Sequence, residues 1–164
     1  SENLSADNES KLSWFHNALR CFYKALEINP DLDVVYESKS LTLSRMGKKK
    51  EAIDCGLLAI EKNPNNFVVL GNLAKWYNDL GDYDNGLKYA NKILSQKSLI
   101  SKILSKAQLA GIYFNKAQSE FNQNNSNFKN SMTLAIQTAP QYYEKQMYKD
   151  QMKKMTSFFR DPYD

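Results

Sequence analysis

The apolar residues of the chain recur at helical spacing, and short joints rich in glycine, proline or asparagine separate the helical segments. Within residues 70–94, Leu73 and Tyr77 share one face of a first segment, and Leu87 and Leu94 share one face of a second. No alternating apolar and polar run is bounded by hairpin turns, so we expect no strands. The pattern predicts helices at about 10–28, 33–46, 49–62, 67–80, 83–96, 99–122, 127–138 and 141–159.

This helical pattern repeats with a period of about 34 residues, a length typical of stacked helical repeats. The stretch "KALEINPDL" around Pro30 returns as "LAIEKNPNN" around Pro64. The same spacing separates four further pairs of identical residues: Ala18 and Ala52, Cys21 and Cys55, Ala25 and Ala59, and Gly47 and Gly81. Another step reaches Ser98, but the next closing proline, Pro140, lies more than one period beyond it, so a short segment has been inserted.

The repeat resembles the tetratricopeptide repeat family, whose unit is a helix–turn–helix of about 34 residues. The third repeat carries the resemblance best, in its first helix and its turn, through Leu73, Ala74, Tyr77, Gly81 and Tyr83. The resemblance implies an all-α fold, a right-handed α-solenoid of stacked helix–turn–helix units. Recurring small residues let successive helices approach closely, and each repeat contacts mainly its neighbours.

The resemblance divides the chain into three parts. Residues 1–11 lack the apolar signature of a first helix, so we expect an N-terminal tail or a degenerate helix there. Residues 12–140 form an array of about three to four repeats, the last with the insertion. Residues 141–164 form a C-terminal capping helix and tail, whose apolar stripe would cover the end of the stack: Tyr148, Met152, Met155 and Phe159.

In the tetratricopeptide family, peptides or partner helices usually lie in a concave groove lined by the first helix of each repeat, called helix A. Carried onto this chain, the groove positions are Glu37, Leu41, Arg45, Asn72, Lys75, Asn78, Asp79, Gln108, Phe114 and Asn115. The carboxamide of Asn72 both donates and accepts hydrogen bonds, as a peptide backbone requires. The alternative is that these side chains simply face water.

Chaperone-binding members of the family hold a C-terminal carboxylate with a clamp of Lys, Asn and Arg residues. The corresponding residues here are Glu37, Leu41, Asn72, Leu104 and Gln108. Only Asn72 matches, and Glu37 would repel a carboxylate. The sequence therefore disfavours a clamp of this kind.

No residues are spaced for catalysis or for a metal. The single histidine, His16, has no acid or nucleophile around it. Cys21 and Cys55 with that histidine fall short of about four zinc ligands, and the aspartates of residues 79–84 lack the EF-hand spacing. We therefore expect no catalytic residue, metal or cofactor. The two cysteines are expected to be small buried hydrophobes, and the absence of a CxxC motif favours a reducing compartment, the cytoplasm.

The net charge of +4 is unevenly distributed. Residues 97–164 contain 10 Lys and Arg against 5 Asp and Glu, whereas residues 1–96 contain 12 against 13. Lys145, Lys149 and Lys153 recur on one helical face and could meet RNA or an acidic surface. No compact basic and aromatic platform accompanies them, so nucleic acid is not the expected partner.

These observations predict a non-catalytic protein–protein interaction module, a scaffold or adaptor that binds a peptide or a partner protein. One alternative is a regulatory or targeting domain of a larger enzyme, and another is a binder of RNA or acidic surfaces through the C-terminal lysines. Apolar groove residues such as Phe114 could also contact a second copy of the chain, so a homo-oligomer is a further possibility. No apolar run approaches the roughly 18–20 residues of a membrane span.

Overall fold

A computed structural model describes residues 2–143, 150 and 153 of the chain, and all of its regular structure in those residues is helical. The helices are α1 (Glu2–Ile28), α2 (Asp33–Arg45), α3 (Lys49–Lys62), α4 (Phe67–Asp79), α5 (Tyr83–Leu94), α6 (Lys97–Ile103), α7 (Lys106–Asn122), α8 (Phe128–Thr138) and α9 (Pro140–Tyr143). Neighbouring helices pack in pairs, α1 on α2, α2 on α3, α5 on α7 and α7 on α8. The all-helical class and the packing between neighbours are thereby confirmed.

The chain divides into two compact units, here called the N-terminal unit (Ser1–Trp76) and the C-terminal unit (Tyr77–Asp164). In the N-terminal unit, α3 packs closely on α4 at Gly56. The approach is so close that a Cβ added to this glycine would lie 3.1 Å from Leu73 Cδ2. The small residues Ala52 and Ala59 are 0% exposed. Small side chains at this phase let two helices approach each other, as the repeat predicts.

In the C-terminal unit, α7 and α8 enclose an apolar cluster of Ala110, Phe114, Ala117, Phe128, Met132, Ala135 and Ala139. Phe121 packs edge-on against Phe128, with ring centroids 5.4 Å apart. Where α4 ends, Tyr77 stacks on Tyr89 of α5 at 5.6 Å. Aromatic pairs of both geometries are favourable beyond the apolar area that they bury.

The turns within the second and third repeats depend on glycine. Gly47 and Gly81 have φ angles of +80° and +81°, a region that L side chains rarely adopt. Asp82 then caps α5, because its carboxylate accepts a hydrogen bond from the Asn85 amide at 3.1 Å. The two glycines, one repeat period apart, therefore mark two equivalent helix–turn–helix units.

The predicted single helix at 99–122 is wrong, because two helices, α6 and α7, occupy that stretch. Leu104 is extended (φ −90°, ψ 137°), which ends α6. A capping box then starts α7: the Gln108 amide donates to Ser105 Oγ at 3.3 Å, and the Ser105 amide donates to Gln108 Oε1 at 2.9 Å.

The first helix is longer than predicted, since α1 begins at Glu2 and continues unbroken to Ile28. Residues 2–28 contain no glycine or proline. Ser13 stands one repeat period before Gly47, at the position where the later repeats turn. Without that glycine, the chain continues as one helix. The predicted capping helix at 141–159, with its apolar stripe, lies outside the described residues after Tyr143, apart from Asp150 and Lys153.

Candidate functional site

The predicted groove residues of the N-terminal unit lie on α2 and α4. Arg45 and Lys75 are exposed, whereas Glu37, Leu41 and Asn72 are half-buried. Two valines at the same repeat phase, Val34 and Val68, are 56% and 41% exposed. We call this surface the α2–α4 face, and it comprises Val34, Glu37, Leu41, Arg45, Val68, Asn72 and Lys75.

A polar bridge holds the beginning of α4 against α2. Asn66 Nδ2 donates to Glu37 Oε2 at 2.7 Å, and Asn66 Oδ1 accepts from the Val69 amide at 3.1 Å. One predicted groove residue, Glu37, therefore also has a structural partner. The α2–α4 face carries one carboxylate, Glu37, against two exposed cations, Arg45 and Lys75, so its net charge is positive.

Two further links join α3 and the joint after it to the beginning of α2. Asn63 Nδ2 donates to Asp33 Oδ2 at 2.9 Å, and Lys62 Nζ donates to Asp31 Oδ1 at 2.6 Å. The hydrogen bond to the Asp31 carboxylate raises the pKa of the Lys62 ammonium. These links fix the joint between α3 and α4, and thereby the place where the α2–α4 face begins.

In the C-terminal unit, Asn78 is only 3% exposed and makes hydrogen bonds within the unit. Its Nδ2 donates to the Asn115 carbonyl at 2.8 Å, and its Oδ1 accepts from Ser119 Oγ at 2.7 Å. Gly86 leaves the room for this carboxamide, since a Cβ there would overlap Oδ1 and lie 3.0 Å from Ser119 Oγ. The NH2 group and the oxygen of the Asn78 carboxamide thus both form hydrogen bonds that join the last turn of α4 to α7.

The remaining groove residues of this unit have different environments. Phe114 belongs to the core between α7 and α8, and Gln108 forms the cap of α7. Asn115 is half-buried, and Asp79 is exposed. In this unit, the structure therefore gives Asn78, Phe114 and Gln108 roles in folding. Of the five residues, Asp79 and Gln108 are the two that are exposed.

A buried ionic cluster in the C-terminal unit was missed by the sequence reasoning. Glu120 is 2% exposed, forms an ion pair with Lys116, and accepts a hydrogen bond from Ser131 Oγ at 2.6 Å. Lys116 Nζ also donates to Ser131 Oγ at 3.2 Å. The spacing of Lys116 and Glu120, one helical turn apart, was the available signal. Every member has a partner, so the cluster joins α7 to α8.

The residues considered for chemistry are far from forming a site. His16 is exposed, with Nδ1 2.8 Å from the Leu12 carbonyl. Cys55 is buried as predicted, and burial raises the pKa of its thiol. The same prediction is wrong for Cys21, which is exposed on α1. The repeat pattern would place a separate first helix over Cys21. In the structure, the residues expected to form that helix are instead part of α1 itself.

Within the described part of the chain, no three His, Cys, Asp or Glu residues lie close enough to hold a metal ion. None of the helices found there has the length and apolar content that crossing a membrane requires. Of the three predicted C-terminal lysines, Lys153 is exposed, and Lys145 and Lys149 lie outside the described residues.

No known family model matches the chain. Over 81 residues, it is 36% identical to a TPR (tetratricopeptide) repeat-containing protein of Methanocaldococcus jannaschii. The matched stretch is 48% of this chain and 25% of the relative, so the chain spans about a quarter of that protein's length. The likeness agrees with an all-helical fold in which neighbouring helices pack in pairs.

Proposed function

We propose that the chain is a non-catalytic protein-interaction module of the tetratricopeptide repeat family, a scaffold or adaptor that binds a peptide or a partner protein. The observation that carries this proposal is the α2–α4 face, where Val34 and Val68 remain 56% and 41% exposed at equivalent positions of two successive repeats. Repeat folds use such repeated positions to present an extended binding surface. The similarity to a repeat-containing protein supports the same function.

The chemistry of the α2–α4 face indicates the kind of ligand. Two exposed valines suit apolar side chains, and the Asn72 carboxamide suits the backbone of an extended peptide. Arg45 and Lys75 add two exposed cations, which favour acidic residues. An extended peptide with apolar and acidic side chains is therefore the ligand that this face fits best.

A peptide-selection experiment tests the proposal. We would select peptides from a displayed random library on the wild-type chain, then measure their affinity for Arg45→Ala, Asn72→Ala and Lys75→Ala combined. Because a partnered side chain in an interface often contributes about 1 kcal/mol, we expect at least a tenfold loss of affinity. The selected peptides should be enriched in acidic and apolar residues.

A matched variant controls for nonspecific charge effects. Lys50→Ala, Asn91→Ala and Lys92→Ala combined likewise remove two cations and one asparagine, from exposed positions on α3 and α5. Its affinity should equal that of the wild type. If both triple variants bind the selected peptides as the wild type does, the α2–α4 face is not the binding surface.

A further inference from the structure

The lysines of the C-terminal unit are separated from its carboxylates along the chain. Residues 85–119 contain six lysines and no Asp or Glu. The carboxylates just before this stretch are those of Asp79, Asp82 and Asp84. The next carboxylate, that of Glu120, is buried in its ion pair with Lys116. Residues 130–143 contain no charged side chain, so no acidic residue follows there either.

The packing of the helices places the middle of this stretch at one end of the unit. Gln123, just after α7, donates from Nε2 to Oδ1 of Asp84, in the first turn of α5, at 2.6 Å. Since α5 also packs on α7, the two helices are antiparallel, and α5 ends where α7 begins. The short helix α6 joins these two ends. We call this part of the unit the basic end, and its exposed lysines are Lys92, Lys102 and Lys106.

The carboxylates of the unit are too far from the basic end to neutralise it. Asp84 is eight residues before Lys92, which is about 12 Å along α5. Glu120 is fourteen residues after Lys106, which is about 21 Å along α7. At physiological ionic strength, exposed charges more than about 8 Å apart are largely screened from each other. The basic end therefore presents an unneutralised positive charge.

An exposed isoleucine lies among these lysines. Ile103, the last residue of α6, is 56% exposed and directly follows Lys102. Leu99, one turn earlier in α6, is half-buried, whereas Ile100 is 3% exposed and anchors α6 in the unit. The outer side of α6 thus adds an apolar tip to the charge of the basic end.

We propose that the basic end binds the surface of membranes that contain anionic lipids. Each lysine near such a surface raises the affinity by about fivefold. An exposed apolar side chain among the lysines enters the boundary between the headgroups and the acyl chains. Lipid headgroups rearrange beneath each cation, so flexible lysine side chains from three helices need no fixed geometry to bind them.

The same observations disfavour a nucleic acid as the ligand of the basic end. Residues 85–119 contain no arginine, whose planar fork binds phosphates through two hydrogen bonds. The aromatic residues of this stretch are buried or half-buried, so none is exposed to stack on bases: Tyr89, Tyr113 and Phe114. A lipid surface uses both the lysines and the exposed isoleucine, and it is therefore the ligand that the basic end fits better.

Cosedimentation of the chain with lipid vesicles tests the proposal. We expect the wild type to bind phosphatidylcholine vesicles that contain phosphatidylserine. Replacing three lysines by glutamine should weaken this binding by about 100-fold, the product of three fivefold losses: Lys92→Gln, Lys102→Gln and Lys106→Gln. This variant should keep its affinity for peptides selected on the α2–α4 face. Circular dichroism checks that each variant is folded.

A matched variant removes the same charge from exposed lysines of the N-terminal unit: Lys11→Gln, Lys24→Gln and Lys50→Gln combined. It should bind the vesicles nearly as the wild type does. A wild type that does not bind the vesicles, or an equal loss of binding in the two triple variants, would overturn the proposal.

A change at the apolar tip separates a lipid surface from other acidic ligands. Ile103→Ser should weaken vesicle binding by about tenfold, because it removes the side chain that enters the lipid. Ile28→Ser makes the same change at an isoleucine of α1 that is 86% exposed, and it should have no effect. Vesicle binding unchanged by Ile103→Ser would overturn the proposal. So would binding to poly(U) RNA that depends on the three lysines, without binding to vesicles.

Discussion

Replacing Gly86 by alanine should destabilise the protein, although the same change in most helices is stabilising. Alanine is favoured over glycine inside a helix by about 1 kcal/mol. At this position, however, the new Cβ would lie 2.9 Å from Asn78 Cγ and 3.0 Å from Ser119 Oγ, and would overlap the carboxamide oxygen. The Asn78 side chain must therefore move, and it is buried between α5 and α7.

The magnitude follows from the hydrogen bonds that this movement breaks. Shifting the carboxamide by about 1 Å takes its 2.8 Å and 2.7 Å bonds beyond hydrogen-bonding distance. Each buried polar group left without a partner costs about 1–3 kcal/mol. After subtracting the helix propensity gain, we expect Gly86→Ala to lower the free energy of unfolding by about 2–3 kcal/mol.

Urea unfolding followed by circular dichroism measures this change, and Gly111 provides the matched control. A Cβ at Gly111, inside α7, meets no atom within 4 Å, so Gly111→Ala should raise the free energy of unfolding by about 0.5–1 kcal/mol. Combining Gly86→Ala with Asn78→Ala should cost less than the sum of the two single changes. If Gly86→Ala were as stabilising as Gly111→Ala, the steric reasoning would be refuted.

Three further predictions concern other buried groups and one turn. Lys116→Met should lower the free energy of unfolding by about 3 kcal/mol, because it leaves the Glu120 carboxylate buried without its cation. Adding Glu120→Leu should recover most of that loss in the same urea titration. In a Cys21→Ser background, the Cys55 thiol should react with a maleimide only after unfolding, and fast labelling of the folded chain would contradict its burial. Burial raises the pKa of the Cys55 thiol, so the folded chain favours the neutral thiol. The contribution of this preference to the free energy of unfolding is complete below the ordinary thiol pKa, and it is lost as the pH rises through the raised pKa. Gly47→Ala should cost about 1 kcal/mol, measured by thermal unfolding, and no loss of stability would contradict a turn that needs positive φ.

The repeat period predicted most helix boundaries in the middle of the chain closely. The segment predicted at 49–62 is α3, and that predicted at 83–96 is α5, which ends at Leu94. Apolar phase, small residues and turn glycines indicate the same boundaries there, so each signal supports the others. Where the signals separate, the prediction fails: the break before α7 depends on Ser105 and Gln108, a capping box that apolar periodicity does not register.

The candidate site was harder to predict than the fold. The repeat positions of the family indicate which residues of each helix A could line the groove. They do not show whether such a side chain is instead buried or hydrogen-bonded to a neighbouring helix. Asn78 is an example, because its burial depends on the missing Cβ of Gly86 on another helix. The partnering of Glu37 by Asn66 likewise joins residues 29 positions apart. Such contacts depend on tertiary packing, which one sequence does not specify residue by residue.

The closeness of Asn78 to Gly86 also restricts how a chain of this kind can diverge. One period earlier the same two positions are occupied by Ser44 on α2 and Ala52 on α3, so the polar side chain is smaller and the residue on the second helix is larger. In each repeat, a larger side chain on the first helix is thus accompanied by a smaller residue on the second helix. Exchanging a single helix between these repeats would break that balance, so recombination should preserve function only when both helices are inherited together. At this pair of positions, the repeats of the chain are therefore not interchangeable helix by helix.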